Sequence, residues 1–224
     1  AACHSAGALL VMAFDPVSLG LLKSPGAMGA DIAVAEGQGL GLPLGFGGPY
    51  LGVLAARKAL IRKMPGRIAA ATVDTEGKRG FVLTLQAREQ HIRREKANSN
   101  ICSNQALCAL RALIYLCLAG PEGLREVAEA CHAKAEYLKA RLAARFPVAN
   151  PGPTFNEFVV RLPIPAERAA ALLLERGFLA GLPLAAVGAG GQEELLVAVT
   201  ETRTRSEMDA FAAALEDACH ATDL

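Results

Sequence analysis

Ala8-Leu9-Leu10-Val11-Met12-Ala13-Phe14 is an unbroken apolar run that stops at Asp15-Pro16. It is too short for a stable buried helix, and its odd and even positions are equally apolar. Such a run reads as a strand covered on both faces, as in a parallel sheet with helices on either side. Residues 1–7 read as the tail of a preceding helix. Asp31-Ile32-Ala33-Val34-Ala35 supplies a second strand and Tyr50-Leu51-Gly52-Val53-Leu54-Ala55 a third, all three of parallel type, followed by a short helix around Arg57 to Lys63. A hairpin is expected next, Arg67 to Val73 against Gly80 to Leu85, turned by Asp74-Thr75-Glu76-Gly77-Lys78. This is thin for a doubly wound sheet. With no initiator Met, the pattern predicts the C-terminal part of a longer chain, its first strands missing or supplied elsewhere.

Beyond Ala87 the pattern turns helical. Arg88 to Lys96 is charged all round and reads as an exposed or interface helix. Ser103 to Leu118 is a long apolar helix stopped by Gly120-Pro121, and Glu122 to Phe146 repeats apolar residues every three to four positions. A strand (Asn156 to Leu162), a helix (Ala166 to Arg176), a strand (Leu195 to Thr200) and a closing helix (Arg205 to His220) complete a smaller α+β lobe. The fold class expected is therefore α/β, with residues 1–120 in a large domain and 121–224 in a small one.

Composition narrows the function. The 224 residues are 52% hydrophobic and 20% charged, enough for a real core and against intrinsic disorder. Lys plus Arg total 23 against 22 Asp plus Glu, so there is no field to steer nucleic acid or an anionic membrane surface. No unbroken apolar run approaches the ~20 residues of a membrane span, and no secretory signal is visible. The six cysteines (Cys3, Cys102, Cys108, Cys117, Cys131, Cys219) form no Cys-x-x-Cys pair and no zinc-ligand spacing with His. Four lie in Ala- and Leu-rich helical surroundings and read as small buried hydrophobes, which suits a reducing compartment such as the cytoplasm and leaves no metal site.

Two stretches carry the chemistry. Glu36-Gly-Gln-Gly-Leu-Gly-Leu-Pro-Leu-Gly-Phe-Gly-Gly-Pro49 follows the second strand, where α/β folds bind ligands. Its glycines permit close backbone approach to a ligand, or simply a tight crossover. Gln86 to Gln105 joins a dense charged helix to the polar run Ser99-Asn100-Ile101-Cys102-Ser103-Asn104, which opens an apolar helix. Ser103 or Asn104 can cap that helix, and the free N–H groups there favour an anion such as phosphate.

The run Arg88-Glu-Gln-His-Ile-Arg-Arg-Glu-Lys-Ala-Asn-Ser-Asn-Ile-Cys-Ser-Asn-Gln-Ala-Leu107 resembles a signature of the glycine decarboxylase P-proteins of the glycine cleavage system. So do Gly29-Ala-Asp-Ile, Glu36-Gly-Gln, Phe46-Gly-Gly-Pro-Tyr-Leu-Gly52, Met64-Pro-Gly-Arg67 and Val73-Asp-Thr-Glu-Gly-Lys-Arg-Gly-Phe81. The similarity is to the N-terminal half of the fused P-protein, a separate subunit 1 in split systems, and this chain would be roughly the second half of that subunit. The resemblance implies a partial fold-type-I (aminotransferase-like) pyridoxal phosphate (PLP) large domain followed by the small α+β domain. Such enzymes hold PLP through a Schiff base to a Lys after a sheet strand. Here the equivalent turn, Glu36 to Leu42, has Gln38 or Gly39 in that place, while Lys23 and Lys58 stand outside it. Without an amine there, this chain cannot capture the coenzyme covalently.

The resemblance further implies that PLP is held by the lysine-bearing subunit 2, with the active site at the interface of an α2β2 assembly. Ser103, Asn104, Asn100 and Ser99 are the candidates for reaching the partner's PLP phosphate. Gln38, Arg88, His91, Arg93 and Arg94 are candidates for the interface or the entrance channel; His91 is the one possible catalytic base among them. Asp15 and Asn156-Glu157-Phe158 read as structural. The reaction implied is decarboxylation of glycine with transfer of the aminomethyl group to the lipoyl arm of H-protein. A scaffold or regulatory pseudoenzyme, or a self-contained PLP aminotransferase-like enzyme, are the rivals.

Overall fold

The computed structural model describes residues 2–86, 89–97, 103–150 and 152–220. They fall into two compact units, residues 1–16 with 22–118 and residues 17–21 with 119–224.

In the first unit a short helix, α1 (Ala2–Ser5), precedes β1 (Val11–Ala13), β2 (Ile32–Glu36) and β3 (Gly52–Ala56). β1 and β2 run parallel, with Val11 opposite Ile32. β3 lies antiparallel to β2, Ile32 opposite Ala56 and Glu36 opposite Gly52, which corrects the expectation of three parallel strands. The reason is the connection: a parallel return needs a crossover of a dozen or more residues, usually a helix, and the glycine-rich tract between β2 and β3 forms none. The apolar run is also not covered on both faces in this chain, since Leu9 and Val11 are each 55% exposed.

Asp31 fastens these strands together. Its carboxylate is buried at the start of β2. It accepts the Leu10 N–H at 2.9 Å and sits 2.7 Å from His4 Nε2 and 3.1 Å from Arg57 Nε. The Leu10 N–H, then His4 and Arg57, hold the Asp31 carboxyl below its ordinary value. A carboxyl depressed in the folded state contributes stability that is complete above its unfolded value and is lost as pH falls through the folded one. The difference in melting temperature between wild type and Asp31→Asn should therefore be largest at neutral pH and shrink below about pH 4. A thermal-melt series from pH 3 to 7 reads this directly, and a pH-independent difference would contradict it.

The expected hairpin is present as β4 (Ile68–Val73) and β5 (Arg79–Thr84). Asp74 builds its turn by accepting the N–H groups of Glu76 and Lys78, both at 2.9 Å. The charged segment after it is shorter than the sequence suggests: α2 (Gln90–Arg93) is one turn, and Arg94, at φ 51°, diverts the chain into a 3-10 turn, Arg94–Lys96. With no apolar stripe to pack, nothing extends that helix. α3 (Ala106–Ala143) begins three residues later than Ser103 and is broken at Gly120, whose φ of 63° and ψ of −176° are not helical. Pro121 then occupies the first turn of the following segment, where its missing N–H costs nothing.

In the second unit, β6 (Glu157–Arg161), α4 (Ala166–Glu175), β7 (Leu182–Pro183), β8 (Glu194–Ala198) and α5 (Arg205–His220) follow. The sheet is antiparallel in the order β6-β8-β7. Phe158, Val160, Leu195 and Val197 on one face of the sheet pack with Leu142 of α3, Leu173 of α4 and Leu215 of α5. α5 opens on a capping box: Thr204 Oγ1 accepts the Glu207 N–H at 3.2 Å while Glu207 accepts the Thr204 N–H at 2.7 Å. Lys139 is buried, its Nζ donating to Gly152 O at 3.0 Å and Thr154 Oγ1 at 3.2 Å.

The cysteine expectation holds for Cys131 and Cys219, whose thiols are buried, and burial pushes Cys219 up to about 11. Cys117 is exposed and Cys3 and Cys108 are half-buried, so Cys117 corrects the expectation of burial. Cys102 lies outside the described residues.

Candidate functional site

The glycine-rich tract leaves β2 and folds into a tight, internally bonded turn. Gly37 N donates to Leu51 O at 2.7 Å, and the Glu36 carboxylate accepts the N–H groups of Gln38 at 2.9 Å and Leu51 at 3.1 Å. Leu40 and Leu42 are buried beneath the turn. Gln38, where the resemblance implies a lysine in cofactor-bearing relatives, donates its side-chain amide to Leu42 O at 2.8 Å. A neutral amide that braces its own turn offers no nucleophile to an aldehyde. Lys23 and Lys58 are exposed and outside the turn.

The first part of α3 packs against this turn. Arg111 Nε donates to Gly41 O at 2.8 Å, and Gly41, at φ 84°, approaches Tyr115 so closely that a Cβ there would lie 2.7 Å from Tyr115 Cβ. The glycine is therefore required by both backbone and space. The tract serves as a tight connection between antiparallel neighbours, held against a helix, rather than as a crossover.

The start of the same helix opens into a cleft of ≈ 740 Å³. Leu51 and the first residue of β3, Gly52, line it with Gly66 and Arg67 at the foot of the hairpin and Ser103, Asn104, Gln105 and Ala106. Asn104 Oδ1 accepts the Ala106 N–H at 3.0 Å, so Asn104 does bond the helix start, which leaves its side-chain N–H groups as donors. Ser103, Asn104 and Arg67 are exposed. The cleft thus offers a hydroxyl, an amide, a guanidinium and the positive end of a long helix, a donor set suited to a phosphate. Among the described residues no group of His, Cys, Asp and Glu is arranged to hold a metal ion.

Arg67 and Gln105 were not among the residues singled out from sequence. Arg67 stood in view, in Met64-Pro-Gly-Arg67, but only the fold places it beside Ser103 and Asn104. Ser99, Asn100 and Arg88 lie outside the described residues. His91, Arg93 and Arg94 are exposed on and after α2, with His91 Nε2 3.2 Å from Gln86 Oε1. None of these three lines the cleft, and neither does Gln38.

Comparison with known proteins gives a family and a length. Residues 1–215 match the model of the family described as glycine cleavage system P-protein. A curated relative from Geotalea daltonii, named "Probable glycine dehydrogenase (decarboxylating) subunit 1", is 56% identical over 217 residues, which is 96% of this chain and 49% of the relative. A relative of the same name from Moorella thermoacetica is 57% identical over 215 residues, 95% of this chain and 48% of the relative. The crystal structure of a glycine decarboxylase (P-protein) in inhibitor-bound form superposes with a TM-score of 0.87 at 50% identity, covering 97% of this chain and 50% of that one. A cysteine desulfurase from Escherichia coli shares the fold alone, with a TM-score of 0.61 at 16% identity over 98% of this chain and 53% of that one. The α/β architecture is thus that of the fold-type-I PLP enzymes. The chain spans about half the length of the curated relatives it matches.

Proposed function

The chain belongs to the glycine cleavage system P-protein family, and on that premise we propose that it acts within subunit 1 of a two-subunit glycine decarboxylase. Subunit 1 implies a second subunit, and the second carries the lysine that holds PLP. The assembled α2β2 enzyme decarboxylates glycine and passes the aminomethyl group to the lipoyl arm of H-protein. The cysteine spacing, with no Cys-x-x-Cys pair and no zinc-ligand spacing with His, supports a reducing, cytoplasmic setting.

One observation carries this reading. The turn after β2 lacks an amine and is braced by Gln38, while Ser103, Asn104 and Arg67 meet at the mouth of a helix in a phosphate-suited cleft. A chain built in this way can contribute to holding a phosphate without anchoring the coenzyme covalently. When bound, PLP supplies the electron sink for the carbanion left by carbon dioxide loss. The work of this chain is positional. The Ser103 hydroxyl and Asn104 amide donate to the phosphate of the cofactor held by the partner, the Ala106 end of α3 adds its positive dipole, and Arg67 balances the charge. His91, Arg93 and Arg94, exposed near the hairpin foot in sequence, contribute to the interface or the entrance.

The test uses the chain assembled with a lysine-bearing second subunit. Ser103→Ala combined with Asn104→Ala is expected to weaken PLP affinity at least tenfold, measured by cofactor titration, while gel filtration shows the assembly unchanged. Unchanged affinity and unchanged glycine turnover would favour the scaffold reading.

A further inference from the structure

The second unit holds a cavity of ≈ 350 Å³ between β8 and the start of α5. That volume is at the small end of the range for ligand pockets and suits one small molecule. Leu138, Phe178, Val199, Met208 and Phe211 give it an apolar floor. All are buried except Phe178, which is half-buried.

Polar groups converge on the same space. Glu207 stands one turn before Phe211 on α5, and Arg203 reaches it from just ahead of the helix. Arg203 Nη1 lies 3.6 Å from Glu207 Oε1, too far for a hydrogen bond. The other atoms of the pair are committed. Arg203 Nε and Nη2 bond Thr202 Oγ1 at 3.2 and 3.1 Å, and Glu207 Oε2 accepts the Thr204 N–H at 2.7 Å. Nη1 and Oε1 therefore form a donor and an acceptor held apart, on side chains that are about half exposed.

The strand adds a backbone edge. In an antiparallel ladder successive residues turn their N–H and C=O to opposite neighbours. The Val199 N–H donates to Asn156 O on the β6 side, so Ala198 turns its own groups the other way. There β7 begins only at Leu182, opposite Leu196, and Ala198 is left exposed on the cavity wall.

This set discriminates among small molecules. An aliphatic acid would bring its carboxylate against that of Glu207, and an alkylamine its cation against Arg203. An α-amino acid carries both charges on one carbon and so fits between Nη1 and Oε1. We propose that the cavity binds a free α-amino acid with an apolar side chain. The ligand carboxylate accepts from Arg203 Nη1, and its ammonium donates to Glu207 Oε1 and to Ala198 O. Its side chain lies among Phe178, Met208 and Phe211, where the unbranched methionine adapts to its shape. Glycine has nothing to place on that floor and is selected against. The inference rests on the geometry of the second unit and not on the decarboxylase reading.

The test titrates the full chain with L-leucine by calorimetry and locates the site by hydrogen exchange. One site per chain is expected, with slower exchange at residues 177–180 and 197–199. Glycine, isocaproate (leucine without its ammonium) and isoamylamine (leucine without its carboxylate) should each bind roughly tenfold or more weakly. Arg203→Gln should erase the advantage of leucine over isoamylamine, with circular dichroism and the ligand-free melting curve unchanged. Absence of binding at millimolar leucine would overturn the proposal. So would isocaproate binding as tightly as leucine, protection confined to residues outside the cavity, or an Arg203→Gln chain that folds and keeps the full preference.

Discussion

Gly41→Ala should destabilise the first unit by about 2–5 kcal/mol, from left-handed backbone strain of roughly 1–2 kcal/mol and overpacking of roughly 1–3 kcal/mol. Both terms have a visible source: φ is 84°, and the new Cβ would lie 2.7 Å from Tyr115 Cβ and 2.8 Å from Tyr115 Cγ. Neither contact is with the far end of a flexible chain, so the helix itself must retreat, and the bond from Arg111 Nε to Gly41 O stretches with it. Urea denaturation followed by hydrogen exchange at residues 32–56 measures the loss. In a Tyr115→Gly background the further cost of Gly41→Ala should fall to the backbone part alone, since the atoms it would meet are gone. A Gly41→Ala chain as stable as wild type would show that the turn is not seated on α3.

Phe158→Ala should cost the second unit about 3–5 kcal/mol, the range for emptying an aromatic site in a packed core. Phe158 is fully buried on β6, opposite Val197 of β8. The space cannot refill cheaply, because Leu142, Leu173, Leu195 and Leu215, also fully buried, come from four different elements. Phe158→Leu, which keeps most of the volume, should cost less than about 1.5 kcal/mol. The two variants are compared by their urea midpoints at unchanged slope. Equal losses would mean that the site is not close-packed.

The parts of the fold that were legible in the sequence are those whose cause is local. α5 runs from Arg205 to His220 as expected, because Thr204 and Glu207 form a capping box and Met208, Phe211 and Leu215 keep a helical period. The β4–β5 hairpin announces itself through Asp74 and Gly77. The direction of β3 was not legible, since Gly52–Ala56 reads the same in either sense and only the path of the preceding loop decides it. β7, two residues long, leaves no period to detect. Exposure of Leu9 and Val11 could not be read either, for an apolar run states what a strand needs and not whether a cover is present. At the candidate site, Ser103 and Asn104 were visible because helix starts have a composition. Arg67 was not, because it joins them from a position well upstream in the chain, through the hairpin foot.

The Glu36 carboxylate, bonded to the N–H groups of both Gln38 and Leu51, pins the two ends of the glycine-rich tract at its neck. Residues 43–49 hang beyond that knot, exposed at every position. Once the ends are fixed, ring-closure entropy grows only logarithmically with contour, about 0.6 kcal/mol for each doubling. This apex is therefore where evolution can insert or delete residues at least thermodynamic penalty, varying the reach of the segment without disturbing the strands it joins.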